Sequence, residues 1–385
     1  MTISMNIKGN KKTRPGVALL VVLFIVMAIT ILSLGFMSRS DVELACGQNM
    51  ILRTELDYLA ESGLEHARGL ILNPQDVGSE YWTGAASQQL VAGSNYYDLT
   101  VVRDDTDPTD RCNYIIDCNS YWIQGPGNIS RSSLRATLRL DSCIALWIGT
   151  STTISSQVII NGDVYCMGDL TNNGDINGDV FATGTIFGTN IEGQKKAVIE
   201  APVAWPNLIS TDFGPTYYIG STTYSADIVD ANHPVGLFNP TGANPAGIRY
   251  SNSDVNMPGD VNINGMLVVN GTLKISGLNN VITAGKNFPA LVVTGEVIME
   301  DGASLVIQGL SQIGQEISID AGAASANINV TGGLFIALNG ITSNLISVNT
   351  TAAPAIASIE TWPDVNTPSR WRPMAGAFFR SIERK

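Results

Sequence analysis

Four hydrophobic patterns succeed one another along the chain. The first is an unbroken apolar run, Val17 to Phe36, with no charged side chain. At ~1.5 Å of rise per residue it is just long enough to cross a bilayer core of roughly 30 Å. Lipid offers no partner to a bare backbone group, so the run predicts a helix whose hydrogen bonds close on themselves. In the second pattern, Leu44, Ile51, Leu52, Leu56, Leu59, Leu64, Ala67 and Leu70 recur mostly at three- and four-residue steps, with no proline from Asp41 to Leu72. That spacing lays an apolar stripe along one helix face. Asn73-Pro74 stops it. Together the two stretches predict one helix over 17–73, about 55 residues and ~80 Å long.

The period then becomes two. Tyr96 to Arg103, Tyr114 to Gln124 and Leu134 to Leu140 read as strands, with Gly125-Pro126-Gly127-Asn128 as punctuation between the last two. They predict a small antiparallel β-sheet over 84–142, packed on the stripe. From Ile154 onward glycines set the rhythm. Gly162, Gly168, Gly174, Gly178 and Gly184 recur at steps of six, six, four and six. Gly259, Gly265, Gly271 and Gly277 keep a strict step of six, with Val261/Ile263, Leu267/Val269 and Leu273/Ile275 as alternating aliphatic pairs. So short a unit buries its apolar face only by stacking, which predicts a β-solenoid over 150–345. Its handedness stays open, because the phase is not a strict hexapeptide repeat. The stretch 202–256, rich in Pro, Gly, Tyr, Ser and Asn, reads as an excursion from the stack. Residues 346–385, with Trp362, Trp371, Phe378 and Phe379 among arginines, read as a C-terminal cap or tail. The predicted fold class is mixed α+β: a long N-terminal membrane-spanning helix, a small antiparallel β-sheet module, then a β-solenoid (β-helix-like) domain.

Charge adds a topology. The 385 residues are 44% hydrophobic and carry a formal charge of −12, yet Lys8, Lys11, Lys12 and Arg14 cluster ahead of the apolar run. Basic residues flanking a span stay cytoplasmic, which places the acidic remainder outside. An acidic ectodomain argues against nucleic acid, whose phosphates call for a basic surface. No Ala-x-Ala-like site follows the run, so cleavage on the far side is not expected.

Candidate chemistry is sparse. Of five cysteines, Cys112 with Cys118 and Cys143 with Cys166 are the pairings considered for an oxidising compartment, with Cys46 left over. Zinc is the competing use, but no CxxC pair is present and His66 and His233 lie far away. Asp163, Asp169, Asp175 and Asp179 in Gly-Asp steps invite calcium. Asp beside Gly also caps turn amides, and that reading is preferred. No cofactor is expected. Asp141 to Asp364 holds only scattered bases, and no nucleophile-elbow, P-loop or His-Glu-x-x-His motif occurs, so an enzyme is not expected. A β-helix carbohydrate-active enzyme stays as the lesser alternative, since carboxylates distant in sequence can meet on a solenoid. His233, beside Pro234, reads as an exposed loop residue.

Two stretches resemble a known family. Lys11-Lys12-Thr13-Arg14-Pro15-Gly16 followed by Val17-Ala18-Leu19-Leu20 resembles a prepilin-type leader, 1–16. Tyr58-Leu59-Ala60-Glu61-Ser62-Gly63-Leu64-Glu65 resembles a segment of PilX-like minor pilins and of K-type minor pseudopilins of type II secretion. The resemblance covers about the first 70 residues. It implies Gly16 as the processing glycine, Val17 as the mature N-terminus, and a single-pass protein of the bacterial inner membrane with its ectodomain outside. Prepilin peptidase and other pilin-like subunits are the implied partners. Major pilins carry a glutamate at the fifth mature position, which K-type tip subunits characteristically lack, and this chain has Val21 there. Its absence fits a tip subunit of a type IV pilus or pseudopilus, and equally a plain membrane anchor for a stand-alone scaffold or adhesin.

Overall fold

The structure, a computed structural model, describes residues 15–72, 82–93, 95–104, 106, 112–123, 129–141, 143–199, 215–219, 222–285, 288–351 and 376–384. The apolar run and the amphipathic stripe are one α-helix, α1, Pro15–Leu72. Proline suits its first turn, where no backbone N–H is required. The stripe is buried only from its middle onward. Leu56, Leu59, Ala60, Leu64, Ala67 and Ile71 are buried, whereas Leu44 and Ile51 are each 62% exposed.

Four strands pair antiparallel in chain order: β1 (Gly84–Gln88), β2 (Asn95–Arg103), β3 (Asn113–Ile123) and β4 (Ile129–Asp141). Alternate residues face the helix: Tyr97, Leu99 and Val101 from β2, Tyr114, Ile116 and Cys118 from β3, and Leu134, Ala136 and Leu138 from β4. Each large aliphatic side chain buried there contributes about 1.5–3 kcal/mol. Close approach depends on Gly63, where a Cβ would stand 2.5 Å from Cys118 Sγ and 3.0 Å from the Tyr97 ring. Ser120 Oγ donates to the Leu56 carbonyl at 2.7 Å, tying β3 to the helix backbone.

The expected cap or tail over 346–385 is corrected on both sides. Ile346–Thr351 is a solenoid strand, and Gly376–Arg384 returns to pair antiparallel with β4 as a fifth strand, Ala377 opposite Leu140 and Arg384 opposite Leu134. Arg384 also pairs with Asp57 of α1. The solenoid is therefore an insertion between the fourth and fifth strands of the sheet. Phe378, Phe379 and Ile382 are residues a strand favours, but the strand edge that accepts them exists only in the fold.

The solenoid is a three-sided stack of parallel strands. Its ten-strand face runs in the spatial order Lys195–Lys196, Val180–Ala182, Asp163–Cys166, Ile144–Ile148, Leu334–Ile336, Ser311–Ile313, Leu291–Val293, Met266–Val269, Ile248–Ser251 and Asp227–Ile228. At about 4.8 Å per strand this is roughly 43 Å long. The order shows that the chain enters mid-stack, winds to one end, crosses to the other end, and winds back until its last coil docks beside its first. Entry and exit thus lie on adjacent coils, which lets both ends meet the same sheet. Coil length varies: corresponding residues are 16 apart for Asp163 and Asp179, 18 for Asn252 and Asn270, and 25 for Thr283 and Gln308. Three six-residue steps make one 18-residue coil, and longer coils blur the rhythm. At Gly265 (φ 154°) a side chain would strike the Gly247 carbonyl of the neighbouring coil.

The excursion expected over 202–256 is shorter than that. Asp227–Ile228, Gly236–Phe238, Ile248–Ser251 and Val255–Met257 already pair into the stack. Their Asn- and Pro-rich corners hid the alternation of Val255 and Met257. The hairpin Thr216–Ile219 with Thr222–Ser225 contributes Tyr217 to a second core on the outer side of the ten-strand face, with Trp147, Tyr165, Tyr250, Phe288 and Phe335. Tyr217 donates to Asn244 Oδ1 at 2.7 Å and accepts from the Ala246 amide at 3.1 Å.

Cysteine pairing also differs from expectation. The disulfide joins Cys112 to Cys143, Cα atoms 6.1 Å apart, while Cys118 and Cys166 are buried thiols and Cys46 is exposed on α1. Cys118 faces the helix from mid-strand, whereas Cys112 precedes β3 beside the end of β4. The Leu140 amide donates to the Cys112 carbonyl there.

Candidate functional site

Three surfaces and one buried cluster collect the chemistry of the described residues. The first surface is the helix itself. Leu19–Ile71 contains a window of mean hydropathy 2.9, long and apolar enough to cross a membrane. Val21 and Phe36 are exposed at 51% and 70%, and every large apolar side chain named from Leu19 to Met37 is exposed likewise. Thr30, one of two hydroxyl residues within the run alongside Ser33, donates to the Val26 carbonyl at 2.8 Å, so its own donor is met in an apolar medium. Gly16 and Val17 fall in the first turn of α1. The rest of the leader, 1–14, lies outside the described residues.

The second surface is a groove of about 1120 Å³ where the stripe becomes buried, lined by polar groups including Asn49, Arg53, Asp57, Ser130 and Arg131. Asp57 is held there by Ser132 Oγ at 2.6 Å and by Arg384.

The third is the eight-strand face of the solenoid. Its outward rows run through Asn262, Val281, Val306, Asn329, Asn349 and Ile159, and through Asn264, Thr283, Gln308, Thr331, Thr351 and Asn161. Asp175, at one end of the first row, is the charged residue of these registers. Side chains link along the rows: Asn177 donates to Asn161 at 2.7 Å and Thr283 to Gln308 at 3.1 Å. In a chain of charge −12 this is a flat, nearly uncharged face.

The Gly-Asp steps form ladders at the solenoid corners. Asp163 Oδ1 accepts the Asp179 amide at 3.1 Å, Asp179 Oδ1 the Gln194 amide at 2.8 Å, and Asp169 Oδ1 both the amide and the hydroxyl of Thr185 at 2.7 Å. The backbone hydrogen bond from Thr185 holds the Asp169 carboxyl below the usual carboxylate range, its hydroxyl adding to the effect. Asp254 and Asp301, which the Gly-Asp pattern misses, do the same for Thr272 and for Ala324 and Ser325. Asp175 is exposed at the start of its strand. These carboxylates are spread over separate coils, and no three metal-binding side chains converge among the described residues.

The cluster lies at the coil that starts the second half. His233, read from sequence as an exposed loop residue, is 1% exposed. Its Nδ1 donates to the Pro234 carbonyl at 2.8 Å, and its ring meets Phe238 edge-on at 5.0 Å. Arg249 lies 4.0 Å over the same Phe238 ring and 3.6 Å from Asp227. Burial, then the nearby Arg249 charge, push the imidazole down to about 4, against the Pro234 bond, so it is neutral at pH 7. Nothing in Asn232-His233-Pro234 announces this; the signal is tertiary. Burial also pushes the Cys118 and Cys166 thiols up to about 12, which removes thiolate reactivity at neutral pH.

No family model matches the chain, and no curated protein matches it. Two solved structures are similar to parts of it. The DUF3494 domain of ice-binding protein 1 of Shewanella frigidimarina is 14% identical, covers 55% of this chain and 95% of its own, with a TM-score of 0.33. The competence-associated pilin ComZ of Thermus thermophilus is 10% identical, covers 86% of this chain and 97% of its own, with a TM-score of 0.25.

Proposed function

We propose that this chain is a non-enzymatic, pilin-like subunit that presents a β-solenoid head from a membrane-derived helix. The observation that carries the reading is the division of α1: one continuous helix whose apolar side chains are exposed from Leu19 to Ile51 and buried against the sheet from Leu56 to Ile71. A helix that served only the fold would not extend so far beyond its sheet. An exposed apolar length of that kind needs lipid, then neighbouring helices, as its solvent. Lys11, Lys12 and Arg14 keep the N-terminus cytoplasmic, where prepilin peptidase would cut after Gly16 and free Val17. The subunit then leaves the inner membrane by packing α1 against other pilin-like helices of a type IV pilus or type II secretion pseudopilus. With Val21 in place of a carboxylate, it has no acid to pair with a neighbour's amine, which suits a tip or low-copy position.

The test is the mature N-terminus. Mass spectrometry of the protein expressed with a prepilin peptidase is expected to give a chain starting at Val17, and Gly16→Val is expected to abolish the cut while leaving membrane insertion intact. An intact Met1 refutes assembly through this route and leaves a membrane-anchored solenoid scaffold or adhesin.

A further inference from the structure

The two halves of the solenoid meet where Leu334–Ile336 docks beside Ile144–Ile148, and Ile346–Thr351 beside Val158–Asn161. On those two faces the sheet continues across the join. On the third face it does not: Thr152–Ile154 and Gly340–Ile341 belong to separate sheets of three and five strands. The strands are nevertheless neighbours, since a Cβ on Gly340 would stand 2.6 Å from Thr152 Oγ1. The Thr152 amide donates to the Asp169 carbonyl on the far side. In a parallel strand the alternate residue, Thr153, then turns its backbone groups toward the seam.

An open hollow of about 420 Å³ lies at this seam, within the roughly 300–1,000 Å³ of small-molecule sites. Its lining includes the hydroxyls of Thr152, Thr153 and Thr171, the Thr342 hydroxyl, which donates to the Ile317 carbonyl at 3.2 Å and keeps its lone pairs for a ligand donor, the Asn339 side chain, whose Nδ2 donates to Glu316 at 2.9 Å and whose carbonyl oxygen faces a ligand donor, and the Asp169 carboxylate. No Lys or Arg lines it, so an anionic ligand would meet Asp169 with nothing to offset the repulsion. A divalent cation would find one carboxylate, one oxygen of which is already taken by Thr185. An extended peptide would have to sit between two strand edges about 9.6 Å apart, twice the strand spacing, and Gly340 is too close to Thr152 for that. What remains is a ligand whose own groups are hydroxyls.

We infer that the seam between the two solenoid halves binds a neutral oligosaccharide, whose hydroxyls bond the threonines, Asn339 and Asp169. This does not rest on the pilin-like reading and stands or falls separately from it. The site is built by the topology: residues near 152 and 340 become neighbours only because the last coil docks on the first.

Saturation-transfer difference NMR on the full chain, held in a sugar-free zwitterionic detergent, tests it with maltohexaose, cellohexaose and chitohexaose as probes. Transfer to at least one hexasaccharide is expected, weakened more than tenfold in affinity by Thr153→Val/Thr171→Val and, independently, by Thr342→Ala. Thr283→Val/Thr331→Val on the eight-strand face is expected to bind as wild type. No transfer to any of the three overturns the inference. So does transfer that survives both seam variants, or that is lost in the eight-strand-face variant instead.

Discussion

The Cys112–Cys143 disulfide cross-links the start of β3 to the segment where the main chain passes from β4 into the solenoid, and its removal has a calculable effect. Cys112 sits just ahead of β3 and Cys143 just ahead of the first solenoid strand, both buried at 2% and 5% exposure. The bond closes a loop over a sequence separation of 31 residues. Chain-entropy arguments give about 3.7 kcal/mol for such a loop. Alanine at both positions avoids adding a buried hydroxyl, which would cost a further ~1–3 kcal/mol. Hydrogen exchange with mass spectrometry reads the sheet directly and needs no assumption that helix, sheet and solenoid unfold together. Peptides from β3 and β4 in Cys112→Ala/Cys143→Ala are expected to exchange roughly 400-fold faster than wild type, since every 1.4 kcal/mol is tenfold. Peptides from Val261 to Ile275, far along the stack, are expected to change little. Non-reducing peptide mapping of the wild type is expected to recover a Cys112–Cys143 cross-link, with Cys118 alkylated only after unfolding. Exchange within threefold of wild type, or a Cys112–Cys118 cross-link, refutes the reasoning.

Other outcomes follow from single contacts. Gly63→Val pushes side-chain carbon toward Cys118 Sγ and the Tyr97 ring, and is expected to destabilise the helix–sheet unit by about 1–3 kcal/mol in urea unfolding followed by fluorescence. His233 has its folded pKa depressed to about 4 from an ordinary 6.5, so the unfolded chain binds more protons between those values. The solenoid's stability is expected to be complete above pH 6.5 and to decline as pH falls toward 4, and His233→Gln is expected to flatten that decline in thermal unfolding. Asp169 and Asp301, each lowered chiefly by backbone hydrogen bonds, add a second loss below about pH 4, where the carboxylates protonate. Because Asp141 lies opposite Gly376, joining them through an Asn-Gly turn in place of 142–375, with Cys112→Ala, is expected to leave a folded helix and five-stranded sheet by circular dichroism.

Much of the architecture is legible in local pattern. Val17 to Phe36 has no charge, and the three- and four-residue steps from Leu52 to Ala67 admit one structure, so α1 follows from periodicity alone. The alternation Leu134, Ala136, Leu138, Leu140 sets which side of β4 is buried, because the side-chain period of a strand is two. Glycines at steps of six demand stacking, and Gly265 shows why: the neighbouring coil leaves no room for a side chain.

What only the tertiary structure decided is which edges meet. Pattern does not say that Gly376–Arg384 joins β4, that Leu334–Ile336 docks on Ile144–Ile148, or that Cys112 reaches Cys143 rather than Cys118. Every strand edge carries the same N–H and C=O groups, so pairing between distant strands is chosen by the closure of the whole chain and by side-chain fit, and neither is written in any one segment. The burial of His233 is likewise tertiary, because the later coil of Phe238, Arg249 and Asn256 covers it, and the hydroxyl-lined seam between Thr152 and Gly340 arises where the last coil docks back on the first.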